Sequence, residues 1–455
     1  MTCMGEILQG DPGASVRGVC TDSRGVRSGE LFVALKGERL DGHEFAAEAV
    51  RRGAAAVLGE AGRLGGLPGG CAVVGVGDTR QALASLAASH RRRFELPVIA
   101  VAGSNGKTTT KDLVASVLGQ RFQTLASEAS FNNSVGVPLS LLRLDRSHQA
   151  AVLEVGTNHP GELAPLVRMI QPGYGVLTTL GREHLEFFGG MEGVTEEEGW
   201  LAELLPPGGK LLLPGEVPGI ERVLRRTRAQ AIRVGWGAAN DWRVTRALVD
   251  CAGTILHVRA PRAEWSGEYR LRLLGRHQVT NALLALAVGG ELGLSRAEMA
   301  AGLVACRPPK MRLQHLELGG LHILDDSYNA NADSMLASLE TLSDLAEVDR
   351  CIAVLGDMAE LGEHSEPAHA EVGRQAASLG LRHLFAVGRM APVMGAAARE
   401  AVLPDVREFG DSDAAAVALR GFVRPGDWVL VKASRATRLE RIVERLKEPG
   451  AGAPA

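Results

Sequence analysis

At 455 residues the chain is too long for a single hydrophobic core and points to about three domains, and its 45% hydrophobic and 23% charged content is that of an ordinary globular protein. A net charge of −3 supports neither a nucleic-acid partner nor an anionic membrane surface. The six cysteines (Cys3, Cys20, Cys71, Cys251, Cys306 and Cys351) show no C-x-x-C and no zinc spacing, and no apolar run approaches a membrane span, so reduced thiols, a cytoplasmic location and no membrane insertion are expected.

Residues 1–94 carry the segments Val16 to Arg24 and Gly29 to Gly37, in which strand-like runs alternate with helical ones such as Glu44 to Arg52, and this predicts a small α/β unit lacking a nucleotide loop. Asp22, Ser23 and Arg24 fall together where a turn should be. Two readings stay open for them: a solvated turn, which the residues alone favour, or a grip on a diphosphate or uracil group. The segment Arg91-Arg-Arg-Phe-Glu-Leu-Pro97 reads as a linker.

Residues 95–307 begin with Pro97-Val-Ile-Ala-Val-Ala102, an apolar strand, then Gly103-Ser-Asn-Gly-Lys-Thr-Thr109, then Lys111 to Leu118 at helical spacing. Gly103 and Gly106 let the backbone curl so that the N–H groups around Ser104 and Asn105 face an anion, and the helix opening at Lys107 adds its positive dipole end. Lys107 can then reach the β/γ-phosphates of a nucleotide, and the Thr108 hydroxyl can hold Mg²⁺. The strands Ala150 to Gly156 and Gly175 to Leu180 follow, and apolar runs alternating with helices predict a mostly parallel sheet covered on both faces. Ligands of such sheets sit beyond the carboxyl ends of the strands, where the phosphate loop, Glu154 and His184 all fall. Alternating runs at Trp242 to Leu248, Thr254 to Arg259 and Tyr269 to Leu273 predict an antiparallel edge, and a helix starts near Gln278 with Asn281 on its first turns.

Pro308 and Pro309 break the chain, so a third domain is placed at 308–447. Its strand-like runs, Leu321 to Asp326, Cys351 to Leu355, Leu384 to Gly388 and Trp428 to Val431, suggest a Rossmann-like unit without G-x-G-x-x-G. Residues 448–455 read as a disordered tail. The fold class is therefore α/β in three domains: a small N-terminal α/β domain, a central P-loop-type domain whose mostly parallel sheet has an antiparallel edge, and a C-terminal Rossmann-like domain.

Magnesium at a nucleotide wants hard oxygen ligands, and Thr108 and Glu154 offer them. Glu154 lies in so apolar a run that an unpaired charge would be costly, so either a metal or a nearby cation should partner it. A lone histidine such as His184 at a strand end is more often structural than a ligand.

These strings, together with Asn132-Asn133, Gly275-Arg-His-Gln278, Asp325-Asp-Ser-Tyr-Asn-Ala-Asn331, Gly356-Asp-Met-Ala-Glu-Leu-Gly362 and Val431-Lys-Ala-Ser-Arg435, resemble the Mur ligases, ATP-dependent amide-forming enzymes of peptidoglycan precursor synthesis. The Tyr-Asn-Ala-Asn and Gly-Asp-Met strings are similar to those of the branch that adds the terminal dipeptide. The resemblance implies a reaction between UDP-MurNAc-tripeptide and D-alanyl-D-alanine, with ATP and Mg²⁺, through an acyl phosphate, carried out by a monomer. It implies that Thr108 and Glu154 hold a first metal and His184 a second, that Arg312 reaches the γ-phosphate, that Asp326 binds ribose, and that His277 and Asn281 face adenine. Asp22, Ser23 and Arg24 would lie near the UDP-sugar, Asn329 and Asn331 near the dipeptide or acyl phosphate, and Asn132 and Asn133 would be substrate-binding. A sibling ligase, a folylpolyglutamate-type enzyme and a catalytically impaired nucleotide-binding homologue are the alternatives.

The chain departs from the family pattern in three places. Where the family usually has a carbamylated lysine, fourteen residues after the histidine, this chain has Glu198, in the run Thr195-Glu-Glu-Glu-Gly199. Glu198 is expected either to supply as a fixed side chain the charge that the family obtains by modification, or to sit on a solvated helix face. Met311 and Ala433 also stand where glycine is common.

Overall fold

The computed structural model describes residues 5–448, so the expected disordered tail lies, but for Glu448, outside the described residues. It is a mixed α/β protein with three sheets, dividing into two compact units: Met1–Ala100 with Phe122–Thr157 and Gly161–Tyr174, and Val101–Arg121 with Asn158–Pro160 and Gly175–Ala455.

In the first unit a five-stranded sheet runs in the order Glu6–Gln9, Ala72–Val76, Ala56–Glu60, Leu31–Val33, Val19–Cys20. All neighbours are parallel except Glu6–Gln9. Leu31, Val33, Ala56 and Leu58 bury one face, and Phe32, Ala34 and Val57 the other. The strand-like run that opens at Val16 shortens to Val19–Cys20, and Asp22 starts a 3₁₀ turn over Ser23–Gly25 where a turn was expected.

The helix Thr79–Arg91 is capped by Asp78, whose carboxylate accepts the N–H groups of Arg80 and Gln81 at 2.8 and 3.0 Å. Its last residue corrects the linker reading. The Arg91 guanidinium is buried and donates to the carbonyls of Ile170 (2.8 Å), Phe94 (2.7 Å) and Gln171 (3.2 Å), because three carbonyl acceptors there replace the water it loses. This side chain and the packing of the same helix on the helices Gly136–Leu141 and Leu163–Ile170 draw residues beyond 94 into the first unit.

In the second unit the helix Lys107–Leu118 packs on Gln278–Glu291 and Arg296–Ala305. The strands Lys210–Pro214 and Gln230–Gly235 are parallel, and Trp242–Asp250, Gly253–Arg259 and Gly267–Leu271 form the antiparallel edge that their alternation predicted. A six-stranded sheet follows in the order Gln314–Leu318, Leu321–Asp326, Trp428–Lys432, Cys351–Gly356, His383–Val387, Asp405–Phe409. All its neighbours are parallel except the first hairpin. Each central strand splits its apolar residues between two cores: Ile323, Val354, Phe385 and Val429 on one face, Leu324, Leu355, Leu384 and Leu430 on the other. That double burial is why these strands read as unbroken apolar runs. The described cysteines are free thiols, and no described helix is long and apolar enough to cross a membrane.

Candidate active site

The strand Val98–Ala102 delivers the phosphate loop, and the helix begins at Lys107 as the spacing predicted. Gly103 and Gly106 adopt φ of +116° and +81°. A Cβ on Gly103 would meet Thr178 Oγ1 at 2.4 Å, and one on Gly106 would meet Asn281 Oδ1 at 2.6 Å, so both positions exclude a side chain for two reasons at once. Ser104 locks the loop to the strand end that carries Gly181: its N–H donates to Thr179 O at 2.9 Å, and its hydroxyl accepts the Gly181 N–H at 2.8 Å. Thr109 is buried beneath the loop.

Lys107 folds back on its own loop. Its ammonium donates to Gly103 O (2.5 Å) and Ser104 O (3.2 Å) and lies 3.3 Å from a Glu183 carboxylate oxygen. Glu198 joins this cluster from the helix Met191–Glu203 and is 1% exposed, so the acidic run is not a solvated face at that residue. Neither Glu198 oxygen has a hydrogen-bonding partner at ordinary geometry. Burial pushes its carboxyl up to about 8, against the pull of the Lys107 ammonium and the Gly103 N–H and with the added push of Glu183. Burial also raises Glu183, more than Lys107 and His184 lower it. The hydroxyl of Thr108, the residue after Lys107, is buried and has no partner either. The cluster thus offers one cation, two desolvated carboxyls and an unsatisfied hydroxyl, which are the parts needed to hold a polyphosphate with a hard metal ion.

In the first unit Glu154 ends its strand at 1% exposure. Oε1 accepts from Asn132 Nδ2 at 2.8 Å, whereas Oε2 is buried with no donor. A Cβ on Gly156 would meet Asn132 Nδ2 at 2.6 Å, which explains the glycine that follows this glutamate. Asn133 accepts the N–H groups of Val135 and Gly136 and so starts the helix Gly136–Leu141. Asp22 and Arg24 satisfy each other, with Asp22 accepting the Arg24 N–H, Nε and Nη2 at 3.0, 3.0 and 2.8 Å. Arg24 holds the exposed Asp22 carboxyl at about 2, and Ser23 is buried.

The remaining predicted residues lie in the second unit. His184 has φ of +50°, and its Nδ1 meets the Glu360 carboxylate, leaving Nε2 4.0 Å from Glu183. Asn281 is committed to the loop, accepting from Thr110 Oγ1 at 3.1 Å and donating to Gln278 at 2.9 Å. Burial lowers the neighbouring His277 to about 4, so its ring is neutral. The carboxylate of Asp326 accepts from Leu313 N (3.0 Å), Ser338 Oγ (2.7 Å) and buried Lys432 Nζ (2.6 Å). Arg312 stacks over the Tyr328 ring at 4.3 Å. It is flanked by Met311 and Leu313 at φ of +57° and +51°, a left-handed setting in which the glycine expected at position 311 would be unstrained. The Asn329 carbonyl accepts from Lys432, while Asn331 caps the helix Ala332–Leu345 and donates to Asn105 Oδ1 at 2.9 Å.

Sequence reasoning missed Glu183, Arg182 and Glu360. Arg182 donates its N–H to Asp333 at 2.7 Å and its guanidinium to Asp333 (2.8 Å) and Glu371 (2.5 Å), clasping the Gly181-to-Glu186 segment to helices of the six-stranded sheet. The available signal was the Arg-Glu-His-Leu-Glu string itself, three charged residues shortly after the strand Tyr174–Leu177.

Three family descriptions match successive parts of the chain: "Mur ligase family, catalytic domain" over 15–91, "Mur ligase middle domain" over 101–289 and "Mur ligase, glutamate ligase domain" over 311–435. A Bacillus subtilis relative named UDP-N-acetylmuramoyl-tripeptide–D-alanyl-D-alanine ligase is 33% identical over 95% of this chain and 93% of its own. Among solved structures, MurF from Acinetobacter baumannii superposes with a TM-score of 0.87 at 31% identity, covering 96% of this chain and 95% of that one. MurF ligase from Thermotoga maritima, in complex with ADP, reaches 0.82 at 28% identity over 96% and 98%. With a phosphate loop of this build and relatives matched along nearly its whole length, the chain belongs to the Mur ligase family.

Proposed function

We propose that this enzyme forms the amide bond between the terminal carboxylate of UDP-MurNAc-tripeptide and the amine of D-alanyl-D-alanine, converting ATP to ADP and phosphate. In the first step a tripeptide carboxylate oxygen takes the γ-phosphoryl group and ADP leaves. In the second, the dipeptide amine adds to the acyl carbon, the tetrahedral adduct expels inorganic phosphate, and the amine proton leaves with solvent or phosphate. The observation that carries the reading is the near full-length match to relatives of that name, and the Lys107 loop is its chemical counterpart.

The residues of this chain act by positioning and charge. Gly103 to Gly106 present backbone N–H groups to the phosphates. Lys107, released from Gly103 O and Glu183, neutralises the transferred group, and Arg312 opposes its charge from the other side. His277 and Asn281 border the adenine pocket and Asp326 the ribose, although Asp326 must then share its carboxylate with Lys432. Asp22, Ser23 and Arg24 serve the UDP-sugar, Asn329 and Asn331 the acceptor, and Asn132 and Asn133 the bound substrate.

The resemblance calls for magnesium, and Thr108 Oγ1 in the second unit and Glu154 Oε2 in the first are each a buried oxygen without a hydrogen-bonding partner, the hard-donor type that this ion takes. When bound, it would neutralise phosphate charge. His184 suits a second ion because its Nδ1 is oriented by Glu360, the usual outer-shell arrangement of a ligating imidazole. Glu198 supplies a built-in carboxylate beside it, in place of a modified lysine. The division into residues 1–94, 95–307 and 308–447, a cytoplasmic location and a monomeric state belong to the same reading.

Phosphate release measured with ATP, UDP-MurNAc-tripeptide and D-alanyl-D-alanine tests the function. Release with this pair and not with free amino acids supports it, and no release with any pair favours a nucleotide-binding homologue. Glu198 is tested by depleting bicarbonate, which should leave the rate unchanged.

A further inference from the structure

We propose that the antiparallel edge of the second unit is an adsorption surface for anionic phospholipid, separate from the nucleotide chemistry. The strands Trp242–Asp250, Gly253–Arg259 and Gly267–Leu271 bury one face through Trp242, Val244, Leu256, Val258, Tyr269 and Leu271. Alternation sends Arg243, Arg246, Arg259 and Arg270 to the other face, with a register shift between Val244 and Arg246 setting Arg246 opposite His257. Arg272, exposed between buried Leu271 and Leu273, continues the row. Two carboxylates, Asp250 and Glu268, share the face with these five arginines. Folding thus gathers an excess of three positive charges on one side of a chain whose net charge is −3.

The carboxylates do not neutralise this face. Glu268 is shared between Arg270 at 2.9 Å and His257 at 3.7 Å, and Asp250 accepts the Ala252 N–H at 2.8 Å in the hairpin turn. Arg246, Arg259 and Arg272 form no ion pair among the described residues. Arg243 stands directly opposite Arg259, and like charges placed so destabilise a sheet. A polyanion laid on the face would remove that cost.

Three features select a lipid headgroup layer among polyanions. All five cations are arginines, whose planar forks grip phosphate oxygens in pairs. Between them Leu248, which is exposed, and Ile255, directly opposite it, form an apolar patch that would reach beneath the phosphates toward the acyl chains. At the rim Trp236 is exposed, and its carbonyl accepts from Arg243 Nε at 3.0 Å; an indole prefers the headgroup level of a bilayer. A single-stranded nucleic acid would instead call for a row of aromatic platforms, and the face carries one ring, that of His257. An acidic peptide would call for an open strand edge or pockets for alternate side chains, neither of which a sheet face supplies.

The test is co-sedimentation of the full-length protein with vesicles of equal parts phosphatidylglycerol and phosphatidylcholine, and with vesicles of phosphatidylcholine alone. Wild type should bind the anionic vesicles, stay in solution with the neutral ones, and bind less as salt rises. The double variant Arg246→Glu, Arg259→Glu should lower the bound-to-free ratio about tenfold or more, since each arginine near an anionic surface is worth about fivefold in partitioning. Its phosphate release in solution should match wild type. Leu248→Ser should lower the ratio severalfold and leave the salt dependence as it was. No wild-type binding to anionic vesicles, equal binding to neutral ones, or a double variant that binds like wild type overturns the proposal. So does an unchanged ratio for Leu248→Ser, or tighter binding to duplex DNA or polyglutamate than to the anionic vesicles, because charge alone would then account for the contact. These outcomes leave the ligase reading untouched, since none of them depends on the acceptor reaction.

Discussion

The Asp22–Arg24 turn and the Lys107–Glu198 cluster are both charged groups at the end of an apolar strand, yet they differ in how their polar atoms are satisfied. In the turn every charge answers another within the same three residues, and both side chains are more than half exposed. In the cluster the carboxyls are buried, neither Glu198 oxygen has a hydrogen-bonding partner at ordinary geometry, and the Thr108 hydroxyl is a third unsatisfied oxygen. Folding tolerates such desolvated groups only at a cost, so their persistence marks a place where a ligand completes the bonding. Charge density alone would have ranked the two alike.

The largest expected effect tests that contrast directly. Lys107→Ala should reduce phosphate release by roughly 10³-fold or more, since one preorganised charge on a developing anion is worth several kcal/mol. A rate within tenfold of wild type would remove the reason for treating the cluster as the reaction centre.

Glu198→Gln sharpens the comparison through pH. A carboxyl pushed up to about 8 binds its proton more tightly when folded, so its contribution to stability falls as pH rises from the ordinary carboxylate range toward 8. In metal-free, nucleotide-free protein, Glu198→Gln should therefore melt higher than wild type near pH 8, with the gap closing by about pH 5. A gap independent of pH would mean that Glu198 is ionised without penalty.

Arg182→Ala comes next. Its ion pairs are about one-third exposed, so the expected loss of stability is about 1 kcal/mol, read by denaturant titration. Compaction lost on nucleotide addition, measured by small-angle scattering, would show that the clasp also holds the Gly181-to-Glu186 segment in place. The smallest effect is that of Arg24→Ala. Its melting temperature should match wild type because the side chain is solvated, while the KM for the UDP-substrate rises severalfold if the turn grips it. A flat KM would leave Asp22–Arg24 a self-satisfied turn.

The sequence alone determined the strands, the phosphate loop and the antiparallel edge, because these depend on periodicity and on glycine at positions where the backbone must turn left-handed. It also located His184 and Glu198 near the site, through spacing and resemblance. Only the tertiary structure decided how charges were apportioned. It buried Arg91 against carbonyls from another segment, committed Asp326 to Lys432 and Asn281 to Thr110, tied Lys107 to Glu183, and left both Glu198 oxygens without a hydrogen bond of ordinary geometry. The physical reason is that local pattern reports which face of an element is apolar, whereas the state of a buried charge depends on groups brought together from distant parts of the chain, as with Asp326 and Lys432, 106 residues apart.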